Sequence, residues 1–428
     1  MCRADEGRRQ ITRSAGAHTE LLSGGQDDSE LWKPCAVPRF EPFAAIRYAT
    51  DHLAPVVAPP YDVLSDADVD VLAARSPHNI VRIDVPRGGE DRYELAAKTL
   101  QGWLNEGILA TEAEPSFTIY RMRFTDSTGV RRDIAGVLGG LEVVDAEAGG
   151  VLPHERTTAK ASTDRLDLTR ATAANLSPVW GLSLSKGLTE LLAEPGEPLG
   201  TVTEDGIEHV VERVTDPHRV AAITDKLASD DVLIADGHHR YGVSRIYRDE
   251  IRDATGRTDT PAELTLAFVN ELIEEQLSVA AIHRLYSDID VADLARALAR
   301  SFDLVPTERP RAAALADLHQ QGFLILVSSD AAWRMRAKLG RFDGVRALDG
   351  GWLETALADI GLTVSYQHGL AETLAEVDSG RASAAVLIRP VSVAEIERTA
   401  REGLLMPPKS TFFTPKLKTG LVIRSLRS

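Results

Sequence analysis

The chain has 428 residues, of which 43% are apolar and 26% charged, and its formal net charge is −16. The length allows about two or three domains with a sizeable core, and the composition excludes a collagen-like repeat, a disulfide scaffold and a chain disordered throughout. So acidic a chain is also a poor general binder of duplex nucleic acid, because that affinity rests on neutralising phosphates.

The first predicted segment, residues 1–37, alternates charged and small residues without an apolar core. This pattern is not typical of a signal peptide, and we expect a disordered N-terminal extension. Both cysteines, Cys2 and Cys35, lie in it, so the sequence predicts a cytoplasmic protein without structural disulfides. No apolar run approaches the roughly 18–20 residues that span a bilayer, and no membrane partner is expected.

Residues 38–285 are predicted to form the N-terminal and central catalytic core. Its expected elements are a strand at 56–58, a helix begun by a Ser65–Asp68 capping box, an amphipathic helix at 91–108 and a hairpin of 117–124 with 133–144. Gly139 and Gly140 are interpreted as a bulge in that hairpin. A strand at 232–235, a helix at 241–250 and strands at 264–270 and 276–283 complete this part.

Residues 286–402 are predicted to form a smaller α+β module. Its expected elements are a helix carrying Leu294, Leu298 and Phe302, strands at 323–327, 333–339 and 384–388, and helices at 352–360 and 391–402. Residues 403–428 are then a basic C-terminal strap that returns to the core. The fold class expected from this order is α+β, or mixed α/β.

The sharpest motif is Asp236-Gly237-His238-His239-Arg240, between an apolar strand and a helix. Such a junction aims free backbone N–H groups and the positive helix end at one point, which suits an anion. The histidines and the arginine add donors for phosphate oxygens, and Asp236 is the candidate metal ligand. The alternative is a tight turn with solvated histidines.

A second cluster, Pro153-His154-Glu155-Arg156-Thr157, is followed by Lys160, Asp164 and Arg165. Enclosed together, these groups would perturb one another's pKa values. Glu155 is the candidate general base for a hydroxyl nucleophile, and Arg156 and Lys160 are candidates for neutralising a phosphoryl group, with His154 beside them. A solvated loop with ion pairs is the alternative.

The third cluster lies in the strap, where Lys409, Ser410 and Thr411 form a group of donors able to close over a phosphate. The neighbouring prolines and phenylalanines equally suit a segment that packs two domains together. A basic tail on an acidic body can likewise be a docked segment or can help to hold an anionic substrate.

These motifs resemble the domain of unknown function 1015 family. The matching segments are VVAPPYDVLS at 56–65, SPHNIVRIDVP at 76–86, PHERT at 153–157, NLSPVWGL at 175–182, ADGHHRY at 235–241 and MPPKSTFFTPKLKTGLV at 406–422. The chain departs from that family after Tyr241, where Gly242-Val243-Ser244 replaces the usual Glu-Thr-Ala. A role for that glutamate therefore does not transfer.

The Asp-Gly-His-His-Arg signature further resembles the ParB/sulfiredoxin-like group, which includes free-serine kinases. This resemblance implies a ParB/sulfiredoxin-like nucleotide-binding core in which Asp236, Gly237, His238, His239 and Arg240 grip the phosphates of ATP or ADP. The resulting hypothesis is a nucleotide- and Mg²⁺-dependent phosphotransferase acting on a small hydroxyl-bearing metabolite such as serine.

Two alternatives remain open at this stage. One is a metal-dependent phosphohydrolase with ligands drawn from His154, His238, His239 and His283. The other is a non-catalytic, nucleotide-responsive regulatory protein. The oligomeric state is not predicted.

Overall fold

Two β-sheets organise the computed structural model, which describes residues 37–126, 129–145, 148–155, 162–311, 317–318, 321–407 and 409–427. The strands are β1 Phe40–Glu41, β2 Ile46–Tyr48, β3 Leu109–Thr111, β4 Phe117–Thr125, β5 Arg131–Glu142, β6 Val151–Pro153, β7 Ala174–Asn175, β8 Val179–Ser183, β9 Glu197–Glu204, β10 Ile207–Val214, β11 Val232–Asp236, β12 Leu264–Glu271, β13 Val279–Ala280, β14 Ile282–Ser287, β15 Phe302–Thr307, β16 Leu324–Val327, β17 Ala332–Ala337, β18 Thr363–His368, β19 Ala384–Leu387, β20 Phe412–Phe413 and β21 Arg424–Ser425. The helices are α1 Asp66–Arg75, α2 Val81–Asp84, α3 Arg92–Asn105, α4 Ser162–Thr172, α5 Leu188–Ala193, α6 Pro217–Leu227, α7 His238–Thr255, α8 Val291–Leu298, α9 Asp349–Leu357, α10 Leu370–Asp378 and α11 Val393–Arg401. The fold is therefore mixed α/β, as the sequence predicts.

The large sheet runs in the order β6-β11-β8-β12-β5-β4-β10-β9, with β1 paired to β5. Strands β4 and β5 form the predicted hairpin. The interpretation of Gly139 and Gly140 as a bulge is wrong, because β5 pairs with β12 in unbroken register through both. A Cβ on Gly139 would lie 2.4 Å from the ring of Phe40, so close aromatic packing explains the glycine there.

The small sheet runs in the order β15-β17-β16-β19-β14-β18 and has its own apolar core. Leu294 and Leu298 lie on α8, but Phe302 begins β15 instead of extending the helix. All three side chains are buried in the same core cluster. Because these three buried residues are spaced four apart, they matched the pattern of one helix, although a helix carries the first two and a strand begins at the third.

Three further expectations are corrected by the structure, and the last of them concerns the start of a helix. Residues 56–58 are not a strand, since Ala58 makes only an isolated bridge to Thr419. Residues 276–283 divide into the end of a 3₁₀ turn at Glu274–Gln276, then β13 and the start of β14. Helix α7 begins at His238, earlier than expected, because the left-handed Gly237 directly precedes it.

The C-terminal segment contributes to the core of the large sheet. Strand β20 pairs with β13 and β21 pairs with β7. Leu417, Leu421, Val422 and Ile423 are buried in the same cluster as Trp180 and Phe268. Residues Ala36–Ser428 form one compact unit, so the finer division at residues 285 and 402 stays a prediction. In the described ranges, every helix is too short or too polar to cross a membrane.

Candidate functional site

Two parallel strands bring the first two motifs to one edge of the large sheet. Strand β6 pairs with β11 in parallel, with Val151 opposite Val232 and Pro153 opposite Ile234. The residues that follow each strand therefore emerge together. The ring centroids of His154 and His238 are 4.9 Å apart.

The amino end of α7 has no side-chain cap from the residue that precedes it. Gly237 is the residue before the helix, has a φ of 85°, and lacks a side chain to cap the first turn. Residue 237 therefore has no side chain that could accept a hydrogen bond from the backbone N–H groups of the first turn of α7. Within the described residues, the Nε2 atom of His238 is buried without a hydrogen-bond partner. The first turn of α7 and the buried His238 ring thus place polar groups next to each other at this edge of the sheet.

Asp236 carries the negative charge of the site. Its Oδ2 atom lies 3.1 Å from Nη2 of Arg240 and 3.4 Å from Nζ of Lys416. Burial alone would raise the pKa of Asp236, but Lys416 and Arg240 outweigh burial and lower it. Arg240 also donates to the carbonyl oxygen of Pro178. Asp236 is therefore an anion held between two cations.

The strap reaches both motifs. The Met406 N–H donates to the carbonyl oxygen of His154 at 2.8 Å. The Ser410 N–H donates to Oε2 of Glu155 at 3.3 Å, and Thr411 Oγ1 lies 2.7 Å from Nε2 of His154. The three polar clusters that the sequence indicates are thus in contact.

Glu155 has the electrostatic character of a general base. Its side chain is 17% exposed, and burial raises its pKa above the ordinary range, against the lowering effects of the Ser410 N–H and Lys409. A raised pKa brings a carboxylate nearer to the pH at which it exchanges protons efficiently.

Both ring nitrogens of His154 have hydrogen-bond partners. Its Nδ1 atom lies 2.5 Å from the carbonyl oxygen of Ile234, which can only accept, so Nδ1 carries the proton. Burial lowers the pKa of His154 to about 4, so the ring is neutral at pH 7 and Nε2 accepts from the Thr411 hydroxyl. With both nitrogens occupied, neither is free to take a substrate proton. Burial, followed by the effect of His154, lowers the pKa of His238 to about 3.

The remaining candidate residues are Arg156, Lys160, Lys409 and His283. Arg156 and Lys160 fall outside the described residues. The Lys409 side chain is exposed. His283 lies in the small sheet, where its Nδ1 atom accepts the N–H of Ile388. In the part of the chain that the structure describes, no group of three or more His, Cys, Asp or Glu could hold a metal ion, so the four-histidine set is not assembled there.

Sequence reasoning missed the place of Lys416 in the site and did not connect Arg165 with Arg240. Lys416 was counted only as part of the basic tail, although its ion pair with Asp236 places it at the centre. On the other side of Arg240 is a polar cleft, in which Arg165 donates to the carbonyl oxygen of Asp84 at 2.6 Å. Its charged lining residues are Asp84, Arg165 and Arg240. Arg165 belongs to the second predicted cluster, and its guanidinium packs on the Tyr61 ring.

The fold and the site define a mixed α/β protein in which an Asp-Gly pair joins a buried strand to a helix. The chain matches the model of the family described as protein of unknown function (DUF1015) over residues 40–350, and it belongs to that family. No curated protein matches it.

Several solved structures are similar at low identity. A conserved hypothetical protein from Pyrococcus furiosus is 12% identical, with 63% of this chain and 92% of that chain covered and a TM-score of 0.35. A free serine kinase in complex with AMP is 10% identical, with 63% and 88% covered and a TM-score of 0.35. SbnI with a C-terminal truncation, from Staphylococcus aureus, is 13% identical, with 67% and 87% covered and a TM-score of 0.36. At such scores the likeness carries no argument about function.

Proposed function

We propose that this protein is a nucleotide-dependent phosphotransferase that acts on a small hydroxyl-bearing metabolite such as serine. One observation carries the proposal. Glu155, a partly enclosed carboxylate of raised pKa, follows strand β6. The adjacent strand, β11, leads into the amino end of α7, which has no side-chain cap from Gly237. A base beside an anion site is the minimum that transfer of a phosphoryl group to a hydroxyl requires.

The described side chains suit the phosphates of ATP or ADP. Backbone N–H groups at residues 237–240, with His238, His239 and the Arg240 guanidinium, would bind phosphate oxygens. Lys409 and Lys416 would add charged donors from the strap, whereas the hydroxyl groups of Ser410 and Thr411 already donate to the Pro407 carbonyl oxygen and to His154. Arg156 and Lys160 would add donors from the segment that follows Glu155 in the sequence. Mg²⁺ would be held by Asp236 together with phosphate oxygens and would neutralise phosphate charge. The motif supports a ParB/sulfiredoxin-like core as part of the same proposal.

In the proposed reaction, Glu155 accepts the proton of the acceptor hydroxyl. The hydroxyl oxygen forms a bond to the terminal phosphorus as the bond from that phosphorus to the leaving nucleotide breaks. The chain's contribution is to position the two reactants and to offset charge, and such positioning can supply about 7–11 kcal/mol of a barrier. His154 contributes by fixing the end of β11 against the strap.

The test is a phosphorus NMR assay of the full chain with ATP or ADP, Mg²⁺ and a panel of hydroxyl acceptors that includes serine. Glu155→Gln is expected to lower turnover by about 100-fold or more while the nucleotide Kd stays within about twofold. Glu271→Gln is the matched control, since that buried carboxylate accepts the N–H groups of Gly187 and Thr189 at the opposite edge of the sheet.

Each other outcome has a defined meaning. Release of inorganic phosphate without an acceptor would favour a hydrolase. Nucleotide binding without any turnover would favour a regulatory protein. Turnover that survives Glu155→Gln unchanged would exclude Glu155 as the base.

A further inference from the structure

One peptide group of the strap lies between charged side chains from the two sheets. The carbonyl oxygen of Lys409 accepts from Nη1 of Arg284 at 3.2 Å, and the adjoining N–H of Ser410 donates to Oε2 of Glu155 at 3.3 Å. The C=O and N–H of a trans peptide point in opposite directions. Arg284 and Glu155 therefore face each other across this single peptide group.

Arg284 is an unusual side chain for the interior of a small sheet. It lies on β14 and is 3% exposed, with its Cζ atom 4.9 Å from the centroid of the Tyr366 ring. Among the described residues, it has no ion pair within 4.0 Å, and its Nη2 atom is buried without a hydrogen-bond partner. Burying a cation without a paired anion is costly, so packing alone does not account for this arginine.

The backbone at Lys409 is also held in an uncommon conformation. Lys409 has a φ of 59°, in the left-handed region that a residue with a side chain rarely adopts. Besides the Lys409 carbonyl, Nη1 of Arg284 donates to the carbonyl oxygen of Ile282 at 2.6 Å. The arginine thus ties the left-handed residue of the strap to the backbone of β14.

We propose that Arg284 is a positioning residue for Glu155, acting through the Lys409–Ser410 peptide group. A cation on the peptide oxygen polarises the peptide and strengthens its N–H as a donor to the carboxylate. The same contact fixes the orientation of that N–H, and so the direction in which Glu155 faces the acceptor. This inference rests on the proposed role of Glu155 as the base, and it assigns a function to the small sheet.

The first test compares kcat with nucleotide Kd in three variants of the full chain. Arg284→Gln is expected to lower kcat by about tenfold or more with nucleotide Kd within about twofold, because the base loses its orientation. Arg284→Lys keeps a charged donor and is expected to recover kcat to within about threefold of the wild type.

Arg424→Gln is the matched structural control. Arg424 is also buried, donates to the carbonyl oxygen of Leu264 at 2.7 Å and has an unpartnered Nε. It pairs with Asn175 of β7, and in the described chain it has no contact with Glu155 or with the Lys409–Ser410 peptide group. We expect this variant to lose stability without the loss of kcat. Equal losses of kcat in Arg284→Gln and Arg424→Gln, or no recovery in Arg284→Lys, would overturn the proposal.

A second test separates this inference from the proposed reaction. Thermal unfolding of Glu155→Gln, Arg284→Gln and the double variant forms a double-mutant cycle that needs no turnover. If Arg284 and Glu155 are linked through the Lys409–Ser410 peptide group, the two losses of Tm should be non-additive by about 2 °C or more. Additive losses of Tm would overturn the proposed link between Arg284 and Glu155. Non-additive losses in a protein that phosphorylates no acceptor would retain this link and reject the role of Glu155 as the general base.

Discussion

At the scale of single residues, the role of His154 depends on two contacts with residues that are distant in the sequence. His154 was a catalytic candidate because it lies next to Glu155 in the sequence. The structure gives it two fixed partners, Ile234 and Thr411, and Thr411 lies 257 positions away along the chain. No local pattern specifies such a partner. The tautomer and the positioning role of His154 could therefore be assigned only from the fold.

The buried histidine gives a pH prediction. The pKa of His154 is about 4 in the folded protein and about 6.5 in an unfolded chain. Between these two pH values the unfolded state binds a proton that the folded state does not. The contribution of the buried, neutral His154 to stability is therefore present above pH 6.5 and is lost as the pH falls toward 4. The loss is about 1.4 kcal/mol per pH unit inside that window. His154→Gln should flatten the fall in unfolding free energy between pH 7 and pH 5.

Urea unfolding at several pH values measures this slope. His209 and His283, whose pKa values burial also lowers to about 4, contribute in the same direction in every variant and cancel in the comparison. His218→Gln is the control, because His218 is an exposed side chain on α6. Identical slopes in wild type and His154→Gln would contradict the assignment.

At the scale of elements, strong local signals were predictable and short pairings were not. The Ser65–Asp68 capping box begins α1 as predicted, because both of its hydrogen bonds are made within four residues. Strand β6 is not among the strands expected from the sequence. Its three residues are ordered by parallel pairing with β11, about 80 positions away. The edge that carries the candidate site is thus a product of tertiary pairing.

The start of α7 gives a prediction for a matched pair of glycines. Gly237 has a φ of 85°, and a Cβ there would lie 3.0 Å from the Arg240 guanidinium, whereas a Cβ on Gly242 would meet nothing within 4 Å. Gly237→Ala should cost about 1 kcal/mol or more and weaken nucleotide binding, since it strains the turn and displaces Arg240 from Asp236. Gly242→Ala, inside the helix, should stabilise the protein by about 0.5–1 kcal/mol.

Denaturant unfolding and calorimetric titration with ATP measure the two quantities. An unchanged nucleotide Kd in Gly237→Ala would show that the amino end of α7 does not bind the phosphates. A stability loss in Gly242→Ala as large as that in Gly237→Ala would show that the helix, and not the turn before it, is sensitive to substitution.

At the scale of the whole molecule, the acidic total and the basic strap are complementary. Lys416 pairs with Asp236, Lys418 pairs with Glu204 and Arg424 is buried beside β12. The strap is thus docked through charge as well as through apolar burial. Sequence reasoning left docking and anion binding as equal alternatives. The Lys416 pair joins them, because the same lysine that docks the strap lies at the candidate phosphate site.

The same docking predicts how the molecule unfolds. The core cluster of the large sheet contains Trp103 and Trp180 together with Leu348, Ile396 and Ala400, which come from the segment predicted as a separate module. Trp333 and Trp352 pack against the core of the small sheet. Because apolar contacts cross from one sheet's segment to the other's core, we expect one cooperative transition for both sheets.

Tryptophan variants test this cooperativity directly. Both variants carry Trp32→Phe. The first also carries Trp103→Phe and Trp180→Phe, so its remaining tryptophans, Trp333 and Trp352, report on the small sheet. The second instead carries Trp333→Phe and Trp352→Phe, so Trp103 and Trp180 report on the large sheet. Within each variant, urea transitions followed by fluorescence and by far-UV circular dichroism should coincide. Midpoints that differ by about 0.5 M or more would mean that residues 286–402 unfold as an independent module. The link from Arg284 through the strap to Glu155 would then join two bodies that open separately, and local opening of the small sheet would release the orientation of the base before the large sheet unfolds.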